Sequence, residues 1–365
     1  MYHECVLPGA CPAAIRENQA VGSGKPTSLD IAYRAGVSQS TVSRALRDSP
    51  LVNEKTRERI KRIAREMNYR VDHSAAVLRS QKSSTLALLL FEDPTSDESQ
   101  INPFFLSMLS SITRAAARHG YDVLISFQQL SDDWHTEYQL RNRAEGIILL
   151  GYGDYTAYRD KLYELMERGT HFVLWGPPIG GSFSHSVASD NVSGSYEAAT
   201  HLIGLGRKKM AFIGEATIKA PEFKQRFTGY CNALKDHNMQ VDPACHVQAE
   251  SSEVSGMRAV ETLLERGVDF DSIVCASDLI AIGAIERLRK QGLSVPEQVA
   301  VVGFDDIHAA AYFNPSLTTV RQDTRAAGEM LVTHLMSMIN GEEVTSELLS
   351  PTLVIRSSCG ALLNG

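Results

Sequence analysis

From Ser84 to Ala361, short apolar runs alternate with stretches of helical period, and this alternation limits the fold more than any other feature of the chain. The runs are Leu86–Phe91, Val123–Phe127, Gly146–Leu150, Phe172–Trp175, Met210–Ile213, Ile273–Ala276 and Val299–Phe304. Between them lie helical stretches such as Phe104–His119, Tyr155–Arg168, Gly194–Leu205, Arg226–Asn238, Gly256–Arg266 and Leu279–Gln291. Continuously apolar strands separated by helices of this length mean parallel sheets buried on both faces, joined by right-handed crossovers. There are too many strands for one tidy half, so two similar α/β lobes are expected.

The 365 residues leave room for two or three domains, with a core that needs no staples. With 43% apolar and 22% charged residues, collagen-like, mucin-like, coiled-coil and wholly disordered chains are excluded. No window approaches the roughly eighteen apolar residues that cross a bilayer, so no membrane partner is expected. Met1–Lys25 lacks the basic start and apolar stretch of a secretory leader. The expected compartment is therefore the cytoplasm, and residues 1–26, with Gly22, Gly24 and Pro26, are expected to form a disordered extension. Cys5, Cys11, Cys231, Cys245, Cys275 and Cys359 are scattered without a C-x-x-C pair, which reads as free thiols in a reducing compartment.

Charge is unevenly divided along the chain. The net is −7, yet Thr27–Lys82 holds 12 basic against 6 acidic residues, while Ser83–Gly365 holds 22 against 35. A small basic module leads a large acidic body, the balance of a nucleic-acid-binding head on an effector domain. A solvated, arginine-rich helical surface has the same balance, so charge alone leaves both readings open.

Within that module, Thr27 can cap a helix and Asp30 places a carboxylate in its first turn, where the helix dipole favours it. Ile31, Ala32 and Ala35 share one face, and Gly36 ends the helix by taking the left-handed conformation a tight turn needs. Val37 fills the turn and Ser38 caps a second helix, Gln39–Arg47. This helix turns Val42, Ala45 and Leu46 inward and Gln39, Ser40, Ser43 and Arg44 outward. Asn53 caps a third, Glu54–Asn68, with Ile60, Ile63, Ala64 and Met67 as its apolar stripe. Two short helices joined through glycine, followed by a third, make a helix-turn-helix module.

The stretch Ala35-Gly36-Val37-Ser38-x-x-Thr41-Val42-Ser43-Arg44-x-Leu46 resembles the signature of the lactose/galactose repressor (LacI/GalR) family. Val52-Asn53-Glu54-Lys55-Thr56-Arg57 and Asn68-Tyr69-Arg70 are similar to it as well. The resemblance implies an all-α DNA-binding head over residues 27–70, with the second helix in the major groove. Gln39, Ser40 and Arg44 would then meet base edges, since glutamine can bond adenine bidentately and arginine can bond guanine O6 and N7. Thr41, Ser43, Asn53, Thr56 and Tyr69 would hold phosphates, contacts that position without reading sequence. Residues 71–83 fall where the family has a hinge helix with an Asn-x-x-Ala-x-x-Leu pattern. Ala75 and Leu78 match it, with Leu78 as an apolar wedge for the minor groove. Asp72 replaces the usual asparagine and Val71 a usual proline.

The resemblance extends over almost everything after Thr27. Asn102-Pro103-Phe104-Phe105, Ser189-Asp190-Asn191, Ser277-Asp278-x-x-Ala281-x-Gly283, Val302-Gly303-Phe304-Asp305-Asp306 and Pro315-x-Leu317-Thr318-Thr319-Val320 are its landmarks. They imply a two-lobed, periplasmic-binding-protein-like (type I) α/β body over 84–361 with an effector cleft. One lobe would take about 84–187 and 319–350, the other about 188–318 and 351–361, with crossings near Val187, Thr318 and Pro351. Asp93–Gln100 is an acidic insert before Asn102.

Ligands of α/β sheets sit beyond the carboxyl ends of the strands, which places Trp175, Ser277, Asp278, Asp305 and Asp306 there, with Arg226 opening a helix after Met210–Ile213. The expected effector-binding residues are Phe104, Trp175, Arg226, Ser277, Asp278, Asp305 and Gln322. By position, Arg226 and Asp305 match residues that grip the effector in relatives, and a guanidinium with a carboxylate can bond adjacent sugar hydroxyls. Trp175 can offer its face to a sugar ring or simply pack the lobe, and Asp278 and Asp305 can equally serve as caps or salt-bridge partners. Ser277 stands where asparagine is common, and the aromatic often found near Ser251 is missing.

Gly151-Tyr-Gly153 lacks the third glycine of a dinucleotide loop, and the chain has no Walker lysine, zinc-spaced histidine pair or nucleophile elbow. No catalytic residue, metal or cofactor is expected. The expected function is that of a DNA-binding transcriptional regulator, a repressor acting as a homodimer or tetramer on operator DNA under a sugar effector. The alternatives are a sugar-binding protein of a transport system, which the body alone would permit, and a sugar-acting enzyme.

Overall fold

The computed structural model describes residues 26–69, 83–91, 101–128, 133–151, 155–178 and 185–361. The chain divides into two compact units, Met1–Ser80 and Gln81–Gly365.

The first unit holds α1 (Ser28–Ala35), α2 (Gln39–Leu46) and α3 (Glu54–Glu66). Each begins on a side-chain cap, because the first N–H groups of a helix have no partner within it. Thr27 and Asp30 form a reciprocal pair at α1: the Thr27 N–H donates to Asp30 Oδ2 at 2.8 Å, and the Asp30 N–H donates to Thr27 Oγ1 at 3.4 Å. Ser38 Oγ accepts from the Thr41 N–H at α2, and Asn53 Oδ1 from the Lys55 N–H at α3. Gly36 turns the chain between α1 and α2 at φ 63°, a conformation that costs other residues more. The inward faces meet in one small core of Ile31, Ala32, Ala35, Val42, Ala45, Val52, Ile60, Ile63 and Ala64, with Leu46, Met67 and Tyr69 packed against it.

The second unit contains two six-stranded sheets. One is built from β1 (Thr85–Phe91), β2 (Asp122–Gln128), β3 (Gly146–Leu150), β4 (Phe172–Trp175), β5 (Ser186–Ser189) and β11 (Glu347–Leu349), in the order β11-β5-β4-β3-β1-β2. The other is built from β6 (Met210–Ile213), β7 (His246–Val247), β8 (Ser272–Cys275), β9 (Ala300–Asp305), β10 (Thr318–Arg321) and β12 (Thr352–Val354), in the order β12-β10-β9-β8-β6-β7. All neighbours are parallel except β10 and β12. In each sheet the first strand of the lobe lies between the second and third, so both lobes share one doubly wound topology with its crevice at that reversal. The helices are α4 (Pro103–Arg118), α5 (Tyr155–Glu167), α6 (Asn191–Gly204), α7 (Pro221–Asp236), α8 (Glu253–Glu265), α9 (Asp278–Lys290), α10 (His308–Tyr312) and α11 (Thr324–Ile339). A π-helical turn spans His135–Leu140.

Every position of β3, β4, β6, β8 and β9 is buried, as continuously apolar strands between two helical layers must be. The expected lobe boundaries need correction. Residues 319–321 were assigned to the first lobe, but β10 pairs with β9 from Thr318↔Val302 to Arg321↔Asp305 and belongs to the second. Residues 188–189 were assigned to the second lobe, but β5 pairs with β11 through Leu349↔Ser189 in the first sheet. The chain therefore crosses between Ser189 and α6, between Arg321 and α11, and between Leu349 and Thr352. The hinge residues Ala75 and Leu78, the acidic insert Asp93–Gln100 and the extension before Pro26 lie outside the described residues.

A candidate nucleic-acid interface and an effector cleft

On the head, α2 buries Val42 and Ala45 and leaves Gln39, Ser40 and Arg44 exposed. Gln39 Nε2 donates to Ser28 Oγ at 2.8 Å, which steadies its side chain across the N-termini of α1 and α2. Thr41 and Ser43 are half-buried beside them: Thr41 Oγ1 lies 2.8 Å from Ser38 Oγ, and Ser43 Oγ accepts from Arg47 Nη2 at 2.5 Å. Asn53 is exposed while capping α3, Thr56 sits half-buried in the first turn of that helix, and Tyr69 is half-buried against the head core. Asp48 faces Lys61 at 2.6 Å and Arg57 at 3.5 Å. The hydrogen bond from Lys61 and the charges of Lys61 and Arg57 hold the Asp48 carboxyl below the usual carboxylate range.

In the body, Arg226 is almost fully buried on α7 and is held from several sides. Its Nε donates to Asn191 Oδ1 at 2.9 Å, its Nη1 donates to the Ala276 carbonyl, and Nη1 lies 3.3 Å from Asp305 Oδ1. The guanidinium stacks over the Phe304 ring at 3.8 Å, a cation–π contact of the kind that is stronger when desolvated. Gln322 Nε2 also donates to Asp305 Oδ1, at 2.7 Å. These contacts leave Nη2 of Arg226 and Oδ2 of Asp305 without a partner among the described residues. Burial pushes the Asp305 carboxyl up to about 6, against the Arg226 guanidinium and the Gln322 amide, which both favour its charged form.

The other expected effector residues are more enclosed. Asp278 is fully buried, and both its oxygens are occupied: Oδ1 accepts from Thr319 Oγ1 at 2.5 Å, and Oδ2 accepts from the Ile307 N–H at 2.8 Å. It ties β9 and β10 to the start of α9. Burial and the neighbouring Asp305 carboxylate push Asp278 well above the usual carboxylate range. Ser277 caps α9, its Oγ accepting from the Ile280 N–H at 3.3 Å. Trp175, at the carboxyl end of β4, is buried with its ring centroid 6.0 Å from that of Phe104, so most of its indole is committed to packing.

Some polar residues around the cleft were not singled out from sequence. Asn191 holds the Arg226 guanidinium in place, and Asn102 and Ser251 form a hydrogen-bonded pair at 3.3 Å. Asp306, which the sequence places with Asp305 at the end of the same strand, turns the other way and binds Arg321 at 2.7 Å and Arg356 at 2.6 Å. Asn102 and Asn191 stood in quoted motifs, but a motif does not say which side chain faces which. Among the described residues no cluster of His, Cys, Asp and Glu is placed to hold a metal ion, and no helix is long and apolar enough to cross a membrane.

Comparison with known proteins accounts for both units. Residues 27–72 match the family described as bacterial regulatory proteins, lacI family, and residues 199–359 match the periplasmic binding protein-like domain. The HTH-type transcriptional regulator RegA of Clostridium saccharobutylicum is 32% identical over 319 residues, covering 86% of this chain and 93% of RegA. The solved structure of the transcriptional regulator CelR–cellobiose complex is 28% identical, with a TM-score of 0.69 over 91% of this chain and 99% of that one. The Lac repressor dimer bound to operator and the anti-inducer ONPF, 23% identical, shares the fold at a TM-score of 0.79 over 92% of this chain and 99% of its own. Relatives matched along nearly their whole length are regulators, which sets aside the transport and enzyme alternatives. The chain belongs to the LacI family of bacterial regulatory proteins and is a helix-turn-helix, DNA-binding transcriptional regulator.

Proposed function

We propose that the chain represses transcription in the cytoplasm as a homodimer, releasing or holding operator DNA according to a neutral sugar bound between the two lobes of its body. On the head, Gln39, Ser40 and Arg44 read base edges, while Thr41, Ser43, Asn53, Thr56 and Tyr69 hold phosphates. Ala75 and Leu78 enter the minor groove beyond them. In the body, Arg226, Asp305 and Gln322 bind the sugar hydroxyls, Ser277 contributes a hydroxyl from the α9 terminus, Asp278 braces the site from behind, and Phe104 and Trp175 supply the apolar wall.

The observation that carries the effector assignment is the Arg226–Asp305 pair, fixed on both sides and left with one open donor group and one open acceptor. Adjacent hydroxyls of a sugar fit such a donor and acceptor together. Asp305 reaches that position at φ 117°, a backbone conformation that costs a non-glycine residue of order 1–3 kcal/mol and concentrates at ligand sites. Arg226 is already paired with the Asp305 carboxylate, which favours a neutral ligand over a phosphorylated one. CelR, a relative of similar architecture, is known in complex with cellobiose. The dimer is supported by Ile125 and Phe127, 44% and 55% exposed on β2, a sheet edge among the described residues. The effector acts by binding one lobe arrangement more tightly than the other, which shifts the population able to hold DNA.

The test is a thermal-shift titration of the full chain with cellobiose and a panel of neutral mono- and disaccharides, beside their phosphorylated counterparts. A neutral sugar that binds the folded state raises the melting temperature with concentration, and Asp305→Asn abolishes the rise. A response confined to phosphorylated sugars, or one that Asp305→Asn leaves intact, contradicts the assignment.

A further inference from the structure

Two helix caps on opposite lobes meet through a single serine. Asn102 caps α4 of the first lobe, its Oδ1 accepting from the Phe104 N–H at 2.9 Å. Its remaining amide hydrogens face the second lobe, where Nδ2 donates to Ser251 Oγ at 3.3 Å. Ser251 Oγ in turn donates to Ser277 Oγ at 2.9 Å, and Ser277 caps α9. Asn102, Ser251 and Ser277 are all buried. Each end of this chain of hydrogen bonds is anchored in the first turn of a helix, so neither can follow the other if the lobes separate. Beyond it, the covalent links between the lobes are the three crossing segments.

We infer that Asn102 and Ser251 are positioning residues that latch the two lobes together across the cleft. The contact is buried, and its partners are already held, Asn102 by its capping bond and Ser251 by its bond to Ser277, so little side-chain freedom is lost in forming it. Lobe separation breaks it and wets both partners. A net hydrogen bond of this kind shifts a two-state balance by roughly two- to tenfold. Asn102 lies two residues before Phe104, whose ring packs against Trp175, and both rings are buried; opening of the lobes at the latch is expected to wet them. Because the effector is proposed to bind between the same lobes, the latch sets part of the closure cost that binding would otherwise meet. That consequence rests on the effector reading, whereas the test below uses neither sugar nor DNA.

The reporter is Trp175. The chain has only one other tryptophan, Trp134, which is fully buried in a separate core cluster with Tyr138 and Phe172. In full-length Trp134→Phe protein, acrylamide quenching reads the access of water-borne solute to Trp175. Ser251→Ala removes the latch without touching either cap. Asn102→Asp keeps the acceptor for the Phe104 N–H and removes the donor. Each is expected to raise the quenching constant roughly twofold or more, with the double variant no higher than the larger single effect. Ser252→Ala, which removes the neighbouring cap of α8, is expected to leave quenching unchanged. Hydrogen exchange at the Phe104 amide, faster in Ser251→Ala than in the parent, gives the same reading with Trp134 in place. Unchanged quenching and exchange in a folded Ser251→Ala protein would overturn the latch, as would an equal rise in Ser252→Ala, since that would be general loosening.

Discussion

Asp305 and Asp306 are neighbours with opposite tasks. Both take positive φ, 117° and 52°. This sends Asp305 into the cleft toward Arg226 and Gln322, while Asp306 turns to Arg321 and Arg356 near the crossing segments. Adjacent side chains at a strand end point apart, but the partners of Asp306 are not legible in sequence, since Arg356 is fifty residues away in the chain. Asp305 also makes a pH prediction. Its carboxyl is raised to about 6, so it loses its charge as pH falls through that value. A neutral carboxyl is a poor acceptor for a sugar hydroxyl and no longer pairs with Arg226, so effector affinity is expected to fall as pH drops from 7.5 to 5. Stability moves the other way. A raised carboxyl contributes stability that is full below its unfolded value and is lost as pH rises through the folded one. Calorimetric titrations of the responding sugar across this range check the prediction. An affinity that stays level would show that the Asp305 charge takes no part.

At the scale of elements, legibility followed hydropathy. Runs such as Gly146–Leu150 and Met210–Ile213 emerged with the expected ends, because burial on both faces demands continuous apolar sequence. The head helices were readable from caps and glycine. The short strands β5, β7, β10, β11 and β12 were not, because their positions are partly polar. Thr318 and Thr319 are buried in β10 with hydroxyls used by Arg356 and Asp278, and Ser186 of β5 donates to Ser346. Their pairing depends on distant chain that periodicity cannot see. The helix α11 was missed beside them, and the lobe boundary was misplaced with it. The α8–α9 pair makes the element-scale prediction. A Cβ on Gly283 would lie 2.0 Å from the Glu253 carbonyl oxygen, and one on Gly256 would lie 2.2 Å from that of Ile280. Backbone cannot yield as a flexible side chain does, so Gly283→Ala must push the two helices apart. The expected cost is about 1–3 kcal/mol, read as a lower urea midpoint at unchanged slope. A stability equal to the parent would mean that the helices do not approach this closely.

For the whole molecule, the division of charge seen in the sequence corresponds to the division into units: a basic three-helix head and an acidic two-lobed body. A single chain cannot display its own partner, so the surface that joins two copies was not legible beyond the family resemblance. Among the described residues β2 lies at a sheet edge with Ile125 and Phe127 exposed, and an apolar edge strand of this kind invites association. Phe127→Glu is expected to move the sedimentation profile from dimer to monomer and to weaken DNA binding, leaving the head folded. Dimer retained at micromolar concentration would place the contact elsewhere.

Operator recognition depends most on the outward face of α2 reading a base sequence. The direct measurement is selection of binding sites from a random duplex library by the full chain, repeated with Arg44→Ala. The expected result is an inverted repeat of two half-sites, with preference at one guanine step relaxed in Arg44→Ala by about 1–3 kcal/mol. Failure to enrich any shared sequence, or an Arg44→Ala preference identical to the parent at every position, would contradict it.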